Sequence, residues 1–218
     1  MPTPADRLQQ IHNDIAAASK LARRDPSEVT LIAVSKTRDA TEIQPLIAAG
    51  QRHFGESRVQ EALANWPPLV ASNPGIVLHC IGRLQSNKAE QAVGLFDVIH
   101  SVDRLSLLKA LGGEAQKQGR QPSVYVQVNI GEEDQKGGCP IDGVAELLAA
   151  VRASPLPLAG LMAIPPLDVE PAPFFALLAE LARRHDVTGL SMGMSADYKA
   201  AVMLGATAVR VGRALFED

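Results

Sequence analysis

The sequence predicts an α/β protein, a single (β/α)8 TIM barrel over residues 1–218 with an extra helix at its N-terminus. Apolar segments rich in β-branched residues alternate eight times with segments of helical periodicity, which is typical of a parallel sheet covered by helices. Eight such units close naturally into a barrel. An open, doubly wound sheet is the alternative, but no G-x-G-x-x-G motif follows the first strand, which weakens it. No linker or low-complexity tract divides the chain, so we expect one domain.

Composition limits the class of protein. Apolar residues make up 46% of the chain and charged residues 21%, as in an ordinary globular protein, and the net charge of −3 argues against a general nucleic-acid-binding protein. Neither Cys80 nor Cys139 is spaced with a histidine as a metal ligand, so we expect a reduced, cytoplasmic setting and no metal. Residues 1–20 lack the apolar core of a signal peptide, and no run of about 18 apolar residues predicts a membrane span.

The elements follow in order along the chain. An amphipathic helix is predicted over residues 5–23, because Leu8, Ile11 and Ile15 recur near helical spacing. Eight strands are then predicted at residues 31–34, 53–55, 76–81, 96–101, 123–130, 158–164, 188–191 and 206–211. Helices are predicted between them at residues 41–49 and 57–63, from residues 85, 103 and 140 onward, and at residues 171–184 and 195–203.

Local signals place the ends and faces of these helices. Gly50 ends the helix over residues 41–49. Residues Ser57 to Gln60 have the form of a capping box, and the helix that they open is expected to break at Trp66-Pro67-Pro68. Two later helices carry apolar faces, made of Leu105, Leu108 and Leu111 in one and of Val144, Leu147, Leu148 and Val151 in the other.

The first strand ends on a lysine. Residues 31–34 are Leu-Ile-Ala-Val, which predicts a buried strand, and Ser35, Lys36 and Thr37 follow. An ammonium group at the mouth of such a strand is costly, so we expect burial to favour the neutral amine of Lys36, the form that Schiff-base chemistry requires. The alternative is that the Lys36 side chain extends along the rim of the sheet and keeps its charge in water.

Small residues follow the last two strands, where TIM barrels commonly bind phosphate. After strand seven the chain runs Ser191-Met192-Gly193-Met194-Ser195. Ser195 offers a hydroxyl, and the helix predicted to start there offers unpaired N–H groups. After strand eight, Gly212 lets the backbone approach a ligand closely. Singly, Ser195 is as well explained as a helix N-cap and Gly212 as a turn residue, but two loops converging at one place favour a phosphate site.

Closure of the barrel would place strand eight beside strand one, so Lys36 would adjoin this phosphate site. An amine next to a phosphate site indicates a phosphorylated aldehyde, and pyridoxal 5'-phosphate (PLP) is the commonest cofactor of that kind. Class I aldolases also use a barrel lysine. An aldolase that acts on a phosphorylated sugar without a cofactor therefore stays open as an alternative function.

Seven motifs, in order and spread over nearly the whole chain, resemble one family. They are Ala33-Val34-Ser35-Lys36-Thr37, Phe54-Gly55-Glu56, residues 79–88, His100-Ser101-Val102-Asp103, Gly160-Leu161-Met162, residues 190–195 and Val209-Arg210-Val211-Gly212. Together they resemble the pyridoxal phosphate homeostasis protein family, also called the proline synthetase co-transcribed or YggS-like family, whose fold is similar to the N-terminal barrel domain of alanine racemase. The resemblance implies a PLP-binding protein of vitamin B6 homeostasis without an established catalytic activity.

The resemblance also implies roles for individual residues. Lys36 matches the Schiff-base lysine. Ser195, with the backbone of Gly212 and Arg213, matches the phosphate cup, and Arg210 matches the arginine that faces the pyridine nitrogen. A guanidinium there disfavours protonation of that nitrogen and makes the cofactor a weaker electron sink.

Three further residues fall in family motifs near the expected site, and a fourth, Lys136, matches a family lysine. His79, Asn87 and Met162 are expected to contact the cofactor, although Asn87 is also explained as a helix cap and Met162 is better explained as barrel core. Lys136, in the glycine-rich loop after strand five, matches a family lysine, but an exposed loop lysine is usually only solvated.

The sequence departs from the family pattern in two places. Ser57 stands where the family usually has asparagine, which puts one contact in doubt. The last four residues, 215–218, stand where relatives often continue with a glycine and a basic tail, so we expect any function of that tail to be missing or relocated.

We expect a non-catalytic protein that holds, buffers or delivers PLP, as a monomer, with the apo forms of PLP enzymes as candidate recipients and no nucleic-acid or membrane partner. Alanine racemases carry a second domain that supplies a tyrosine acid/base across a dimer. The tyrosines here are Tyr125 and Tyr198, and the chain stops where the barrel stops, so a second base for racemisation is not expected. The alternative is a PLP-dependent racemase or lyase of low activity that uses Lys36 as its base.

Overall fold

A computed structural model describes residues 2–216, and within this range it confirms the predicted barrel. Eight parallel strands are hydrogen-bonded in chain order, and the last pairs with the first. They are β1 Thr30–Val34, β2 His53–Glu56, β3 Val77–Cys80, β4 Val98–Val102, β5 Ser123–Gln127, β6 Leu158–Met162, β7 Leu190–Ser191 and β8 Ala208–Val211. Glu217 and Asp218, which belong to the expected departure at the C-terminus, lie outside the described residues, as does Met1.

Helices alternate with the strands. They are α1 Pro4–Leu21, α2 Ala40–Ala48, α3 Val59–Ser72, α4 Ala89–Leu95, α5 Leu105–Gln118, α6 Val144–Arg152, α7 Ala172–Arg184, α8 Tyr198–Met203 and α9 Arg213–Phe216. The predicted extra helix is α1, which begins in a capping box between Thr3 and Asp6 and packs against α2, α8 and α9. Helix α9 is too short for hydrophobic periodicity to predict it.

Helix α3 differs most from its prediction. The expected break at residues 66–68 is wrong, because α3 continues through Pro67 and Pro68. Its buried face is made of Val59, Ala62, Trp66 and Leu69. Because this face extends on both sides of the prolines, its packing outweighs their local cost. The expected capping box at Ser57 is also wrong, since Arg58 is the N-cap residue and no side chain caps the helix.

Three other helices can be compared with their predictions in detail. Helix α6 buries the predicted face of Val144, Leu147, Leu148 and Val151. In α5 the expected face is confirmed at Leu108 and Leu111 but wrong at Leu105, which is 46% exposed, because Leu107 and Ala115 complete the buried face. Helix α8 begins at Tyr198 and not at Ser195. Among residues 2–216, no helix combines the length and the apolar character needed to cross a membrane.

The barrel interior combines apolar and polar side chains. Ile32 lies opposite Arg210 in the β1–β8 register, and Met162 lies opposite Ser191 in the β6–β7 register. All four side chains are buried. The polar groups of the interior therefore sit among apolar neighbours, where each one needs a hydrogen-bond partner.

Strands β6 and β7 approach closely at Gly160 and Gly189. A Cβ added to Gly160 would lie 2.1 Å from the carbonyl oxygen of Gly189, a backbone atom that cannot move without disturbing the sheet. We expect Gly160→Ala to lower the free energy of unfolding by about 1–3 kcal/mol, the usual cost of overpacking.

Gly113→Ala in α5 is the matched control. A Cβ there meets nothing within 4 Å, so the variant is expected to raise the free energy of unfolding by about 0.5–1 kcal/mol. Urea denaturation of both variants measures the two effects. Equal midpoints for Gly160→Ala and the unchanged protein would show that β6 and β7 are farther apart than described.

Candidate functional site

A cavity of about 560 Å³ opens at the carboxyl ends of the strands, the face where TIM barrels place their ligands. Its volume lies within the roughly 300–1,000 Å³ that is typical of small-molecule sites. Ser57, where the sequence departs from the family pattern, also lines it, as does the loop over residues 164–169 after β6. Five predicted site residues line the cavity, namely Lys36, Ser195, Arg210, Gly212 and Arg213.

Lys36 lies directly beyond β1 in a tight turn. The N–H of Arg38 donates to the carbonyl oxygen of Ser35 at 3.0 Å, and Thr37 has a φ of 64°. This left-handed backbone is strained for a β-branched residue, and such strain clusters at functional sites. The expectation that burial acts on the Lys36 amine is wrong, because the turn carries Lys36 out of the buried strand and leaves it exposed at the cavity mouth, as the alternative of a lysine at the rim of the sheet implied.

A buried carboxyl group anchors the residue that precedes Lys36. Glu56 ends β2, and its Oε1 accepts hydrogen bonds from Ser35 Oγ at 2.6 Å and from Trp66 Nε1 at 2.9 Å. Burial raises the pKa of Glu56, and these two hydrogen bonds oppose that effect. Glu56 thus connects α3 to the turn that carries Lys36. Its presence in the Phe54-Gly55-Glu56 motif was the sequence signal for this role.

Ser195 joins the two loops that are expected to bind phosphate. The N–H of Gly212 donates to Ser195 Oγ at 3.2 Å, so the loops after β7 and β8 do converge. Ser195 is not a helix N-cap, because the chain first makes a turn in which the carboxylate of Asp197 accepts the N–H of Met194 at 2.5 Å. Gly193 enters this turn with a φ of 92°, which favours glycine. The Ser195 hydroxyl therefore lines the cavity and does not cap α8.

Arg210 is a buried cation that borders the cavity. Its Nη1 donates to Ser191 Oγ at 2.6 Å and its Nη2 donates to the carbonyl oxygen of Ala163 at 3.0 Å. Burial lowers the pKa of Arg210 to about 10, an effect that the charge of Asp197 opposes, so the guanidinium is charged at neutral pH. Within residues 2–216 no carboxylate forms an ion pair with Arg210, and its charge is therefore available to a ligand.

Three predicted residues do not line the cavity. Asn87 is exposed in a 3₁₀ turn ahead of α4, and its alternative role as a helix cap is wrong too, because Gln85 and Lys88 are the N-cap residues and no side chain caps the turn or the helix. Met162 is fully buried in the barrel interior, which fits the alternative of a core residue. His79 is 5% exposed and also lies inside the barrel.

Lys136 is held at the cavity rim. Its Nζ donates to the carbonyl oxygen of Pro165 at 2.9 Å and pairs with Glu133 Oε2 at 2.6 Å. The expectation of a merely solvated lysine is therefore wrong, because this side chain is partly buried and connects the loop after β5 to the loop after β6.

A chain of buried polar groups crosses the barrel interior, and the sequence analysis missed it. His100 Nδ1 lies 2.9 Å from Ser191 Oγ, the group that also contacts Arg210. His100 Nε2 lies 2.9 Å from His79 Nδ1. His79 Nε2 lies 3.0 Å from His53 Nδ1, at the amino end of β2. The three histidines stand on three strands, so no spacing in the sequence could have signalled their contact.

Neither tyrosine of the chain lines the cavity. The Tyr198 hydroxyl donates to Asp14 on α1 at 2.6 Å. Tyr125 stacks on His100 inside the barrel, with ring centroids 4.4 Å apart. Among the described residues that line the cavity, Lys36 is therefore the one with an amine base, and no tyrosine stands opposite it.

The donor set of the cavity fits a phosphorylated aldehyde such as PLP. Lys36 supplies an amine, and the Ser195 hydroxyl, which accepts the N–H of Gly212, and the Arg213 guanidinium are hydrogen-bond donors that suit a phosphate. Arg210 supplies a buried positive charge beside them. Lys36 follows β1, Ser195 follows β7 and Arg210 lies on β8, which pairs with both β1 and β7 in the closed sheet.

The sequence matches known proteins over nearly its whole length. Residues 7–218 match the family model for the alanine racemase N-terminal domain. The chain is 41% identical over 223 residues to the pyridoxal phosphate homeostasis protein of Pseudomonas aeruginosa, and the alignment covers 99% of this chain and 96% of that relative.

The fold is similar to solved structures as well. PipY of Synechococcus elongatus, in a structure with PLP bound, matches with a TM-score of 0.80 and 42% identity, covering 93% of this chain and 99% of PipY. An alanine racemase of Clostridium difficile matches with a TM-score of 0.69 and 17% identity, covering 96% of this chain and 56% of the racemase, and shares the fold alone. With a family model matched over most of its length and a relative at 41% identity, the chain belongs to the alanine racemase N-terminal domain family and, within it, to the pyridoxal phosphate homeostasis proteins.

Proposed function

We propose that this protein binds PLP in the cavity at the carboxyl ends of its strands and takes part in vitamin B6 homeostasis. The proposal rests on one observation, that three groups line the same cavity. They are the amine of Lys36, the hydrogen-bonded Ser195–Gly212 pair and the buried guanidinium of Arg210. The names of the relatives and the PLP bound to PipY support the choice of ligand.

Lys36 is the residue that holds the cofactor covalently in this proposal. Its neutral amine would hold the aldehyde as a Schiff base, with the release of one water. The exposure of Lys36 gives an incoming aldehyde access to the amine. The same exposure admits the water that reverses the reaction, so the site suits a protein that releases its cofactor again.

The phosphate binds between the loops after β7 and β8 in this proposal. Because Ser195 Oγ already accepts the N–H of Gly212, its own hydroxyl hydrogen is free to donate to a phosphate oxygen. The exposed guanidinium of Arg213 lines the same part of the cavity and adds a charge-assisted donor.

The charge of Arg210 favours a protein that binds the cofactor over an enzyme that uses it in catalysis. When bound, PLP supplies an electron sink for bonds at the α-carbon of an amino acid, and that sink is strong when its pyridine nitrogen is protonated. A charged guanidinium facing the nitrogen disfavours this protonation. The absence of a tyrosine from the described cavity wall points the same way, since racemisation needs a second base.

The proposal therefore describes a non-catalytic PLP carrier, formed by one cofactor-binding domain over residues 1–218. It further includes a monomeric state, a cytoplasmic location and delivery of PLP to the apo forms of PLP enzymes. A weak PLP-dependent racemase or lyase is the second candidate, favoured by the fold shared with alanine racemase.

Lys36→Ala is expected to abolish the visible absorption of the Schiff base, because no other amine lines the described cavity. Weak binding through the phosphate should remain. Lys117→Ala is the matched control, since Lys117 is exposed on α5, pairs with Glu114 and does not line the cavity. Absorption spectra with added PLP, followed by borohydride reduction and peptide mass mapping, make the measurement. Reduced cofactor found on a lysine other than Lys36 would contradict the assignment.

Ser195→Ala is expected to weaken PLP binding by about 10- to 100-fold, since a hydrogen bond to a charged group contributes about 1.5–3 kcal/mol. Pyridoxal, which lacks the phosphate, should bind the variant and the unchanged protein equally well. Equilibrium titrations with the two aldehydes measure this difference. An equal loss for both ligands would mean that Ser195 acts on something other than the phosphate.

Deuterium exchange at the α-carbon separates the carrier from the enzyme. The PLP-loaded carrier is expected to leave the α-proton of alanine and serine in place over many hours in deuterium oxide. Rapid exchange that disappears in Lys36→Ala would establish the racemase or lyase instead. Mass spectrometry of the recovered amino acids gives the answer.

A further inference from the structure

We propose that Ser191, His100, His79 and His53 are positioning residues, which hold the guanidinium of Arg210 through one directed chain of hydrogen bonds and couple it to the opposite end of the barrel. Arg210 borders the cavity at the carboxyl ends of the strands, whereas His53 is the first residue of β2 and lies at the amino ends. The effect on a bound cofactor rests on the proposed function, but the direction of the chain is a property of the protein alone.

Arg210 sets the direction of this chain. A guanidinium has no acceptor, so its Nη1 donates and Ser191 Oγ accepts. Within the described residues, the other hydrogen-bonding neighbour of Ser191 Oγ is His100 Nδ1. Ser191 is fully buried, and its single hydrogen is used only if it points to His100 Nδ1. His100 Nδ1 must then carry no hydrogen.

The remaining hydrogens follow from this one. With Nδ1 bare, neutral His100 carries its hydrogen on Nε2 and donates to His79 Nδ1. His79 in turn carries its hydrogen on Nε2 and donates to His53 Nδ1. All three rings are therefore Nε2–H tautomers, and every hydrogen bond between Arg210 and His53 has a donor and an acceptor. If the hydrogen bonds ran in the opposite direction, from His53 toward Ser191, the hydroxyl hydrogen of Ser191 would be buried without an acceptor.

The two inner rings stay neutral at physiological pH. Burial lowers the pKa of His79 to about 3 and that of His100 well below its ordinary value. Interactions with His79 and with the positive charge of Arg210 also lower the pKa of His100. Tyr125, stacked on His100, has a pKa that burial raises, so it is uncharged as well.

His53 is the end of the chain that can take up a proton. It is half-buried, and burial lowers its pKa while the charge of Asp97 raises it. Asp97 stands just ahead of β4 and pairs with Arg120 at 3.2 Å. His79 on β3 is the other titratable group that faces His53.

A proton on His53 reverses the chain. His53 Nδ1 then carries a hydrogen and must donate to His79 Nε2, so His79 and His100 both change to Nδ1–H tautomers. Ser191 Oγ then accepts from both His100 and Arg210. Because a hydroxyl that donates is a better acceptor, Ser191 holds Arg210 more strongly in the unreversed chain. Protonation at one end of the barrel thereby loosens the guanidinium at the other.

Long-range ¹H–¹⁵N correlation spectra of the full protein, with ¹⁵N-labelled histidine and without PLP, test the direction. The expected result at pH 7.5 is the Nε2–H tautomer for His53, His79 and His100. On lowering the pH, the signals of His79 and His100 should change to the Nδ1–H form as His53 titrates, while His12 on α1 titrates independently. An Nδ1–H tautomer for His100 at pH 7.5, or no change during the titration of His53, would overturn the proposal.

Arg210→Met tests the origin of the direction in the same spectra. With the obligatory donor removed, His100 is expected to show both tautomers at pH 7.5. An unchanged pure Nε2–H form would mean that Arg210 does not direct the chain. If this variant does not fold, the spectra of the unchanged protein still decide the direction of the chain.

His53→Gln tests the coupling to the cofactor. In the unchanged protein, the absorption spectrum of bound PLP is expected to change with pH over the range in which His53 titrates, and this change should be lost in His53→Gln and kept in His12→Gln. Identical pH profiles for the two variants would refute the coupling. If PLP does not bind at all, the proposed function fails, whereas the tautomers measured without PLP still decide the direction of the chain.

Discussion

The pairing of β1 with β8 is the contact on which the site depends. Ile32 lies opposite Arg210 in this register, so the strand that leads to Lys36 runs beside the strand that carries the guanidinium. These groups are far apart in the sequence, and no loop joins them. If the barrel opened between β1 and β8, each local motif would stay intact, but the amine of Lys36 would no longer lie beside Ser195 and Gly212, the residues expected to bind phosphate. The chemistry of the cavity is therefore a consequence of closure.

The buried charge of Arg210 imposes a second constraint. Burying a cation is costly unless its donors are satisfied, and here they meet a hydroxyl and a carbonyl oxygen in place of a carboxylate. Neutral acceptors satisfy the hydrogen bonds without cancelling the charge, so a positive potential remains beside the cavity. The same charge helps to keep His100 neutral. A polar interior of this kind is stable only when every group is paired in one consistent direction.

The alternation of buried strands and amphipathic helices made the barrel predictable, and Lys36, Ser195 and Arg210 could be found because they stand in motifs at strand ends. Features set by packing could not be predicted in this way. Helix α3 continues through its prolines because its buried face extends across them, from Trp66 before the prolines to Leu69 after them. The exposure of Lys36 depends on the turn at Thr37, whose left-handed backbone has no sequence signature for a threonine. The contacts between histidines on different strands depend on closure and strand stagger.

The position of Lys36 connects this geometry to the proposed role. An enzyme that uses a reactive cofactor gains by excluding water, which strengthens electrostatic interactions and prevents side reactions. Here the lysine is exposed while the carboxyl group behind it and the guanidinium beside the cavity are buried. In the proposed role, such a site would orient a ligand at its buried side and leave the bond to Lys36 open to water. Reversible capture would follow from that division, because the buried groups would select the aldehyde and the exposed amine would allow it to leave.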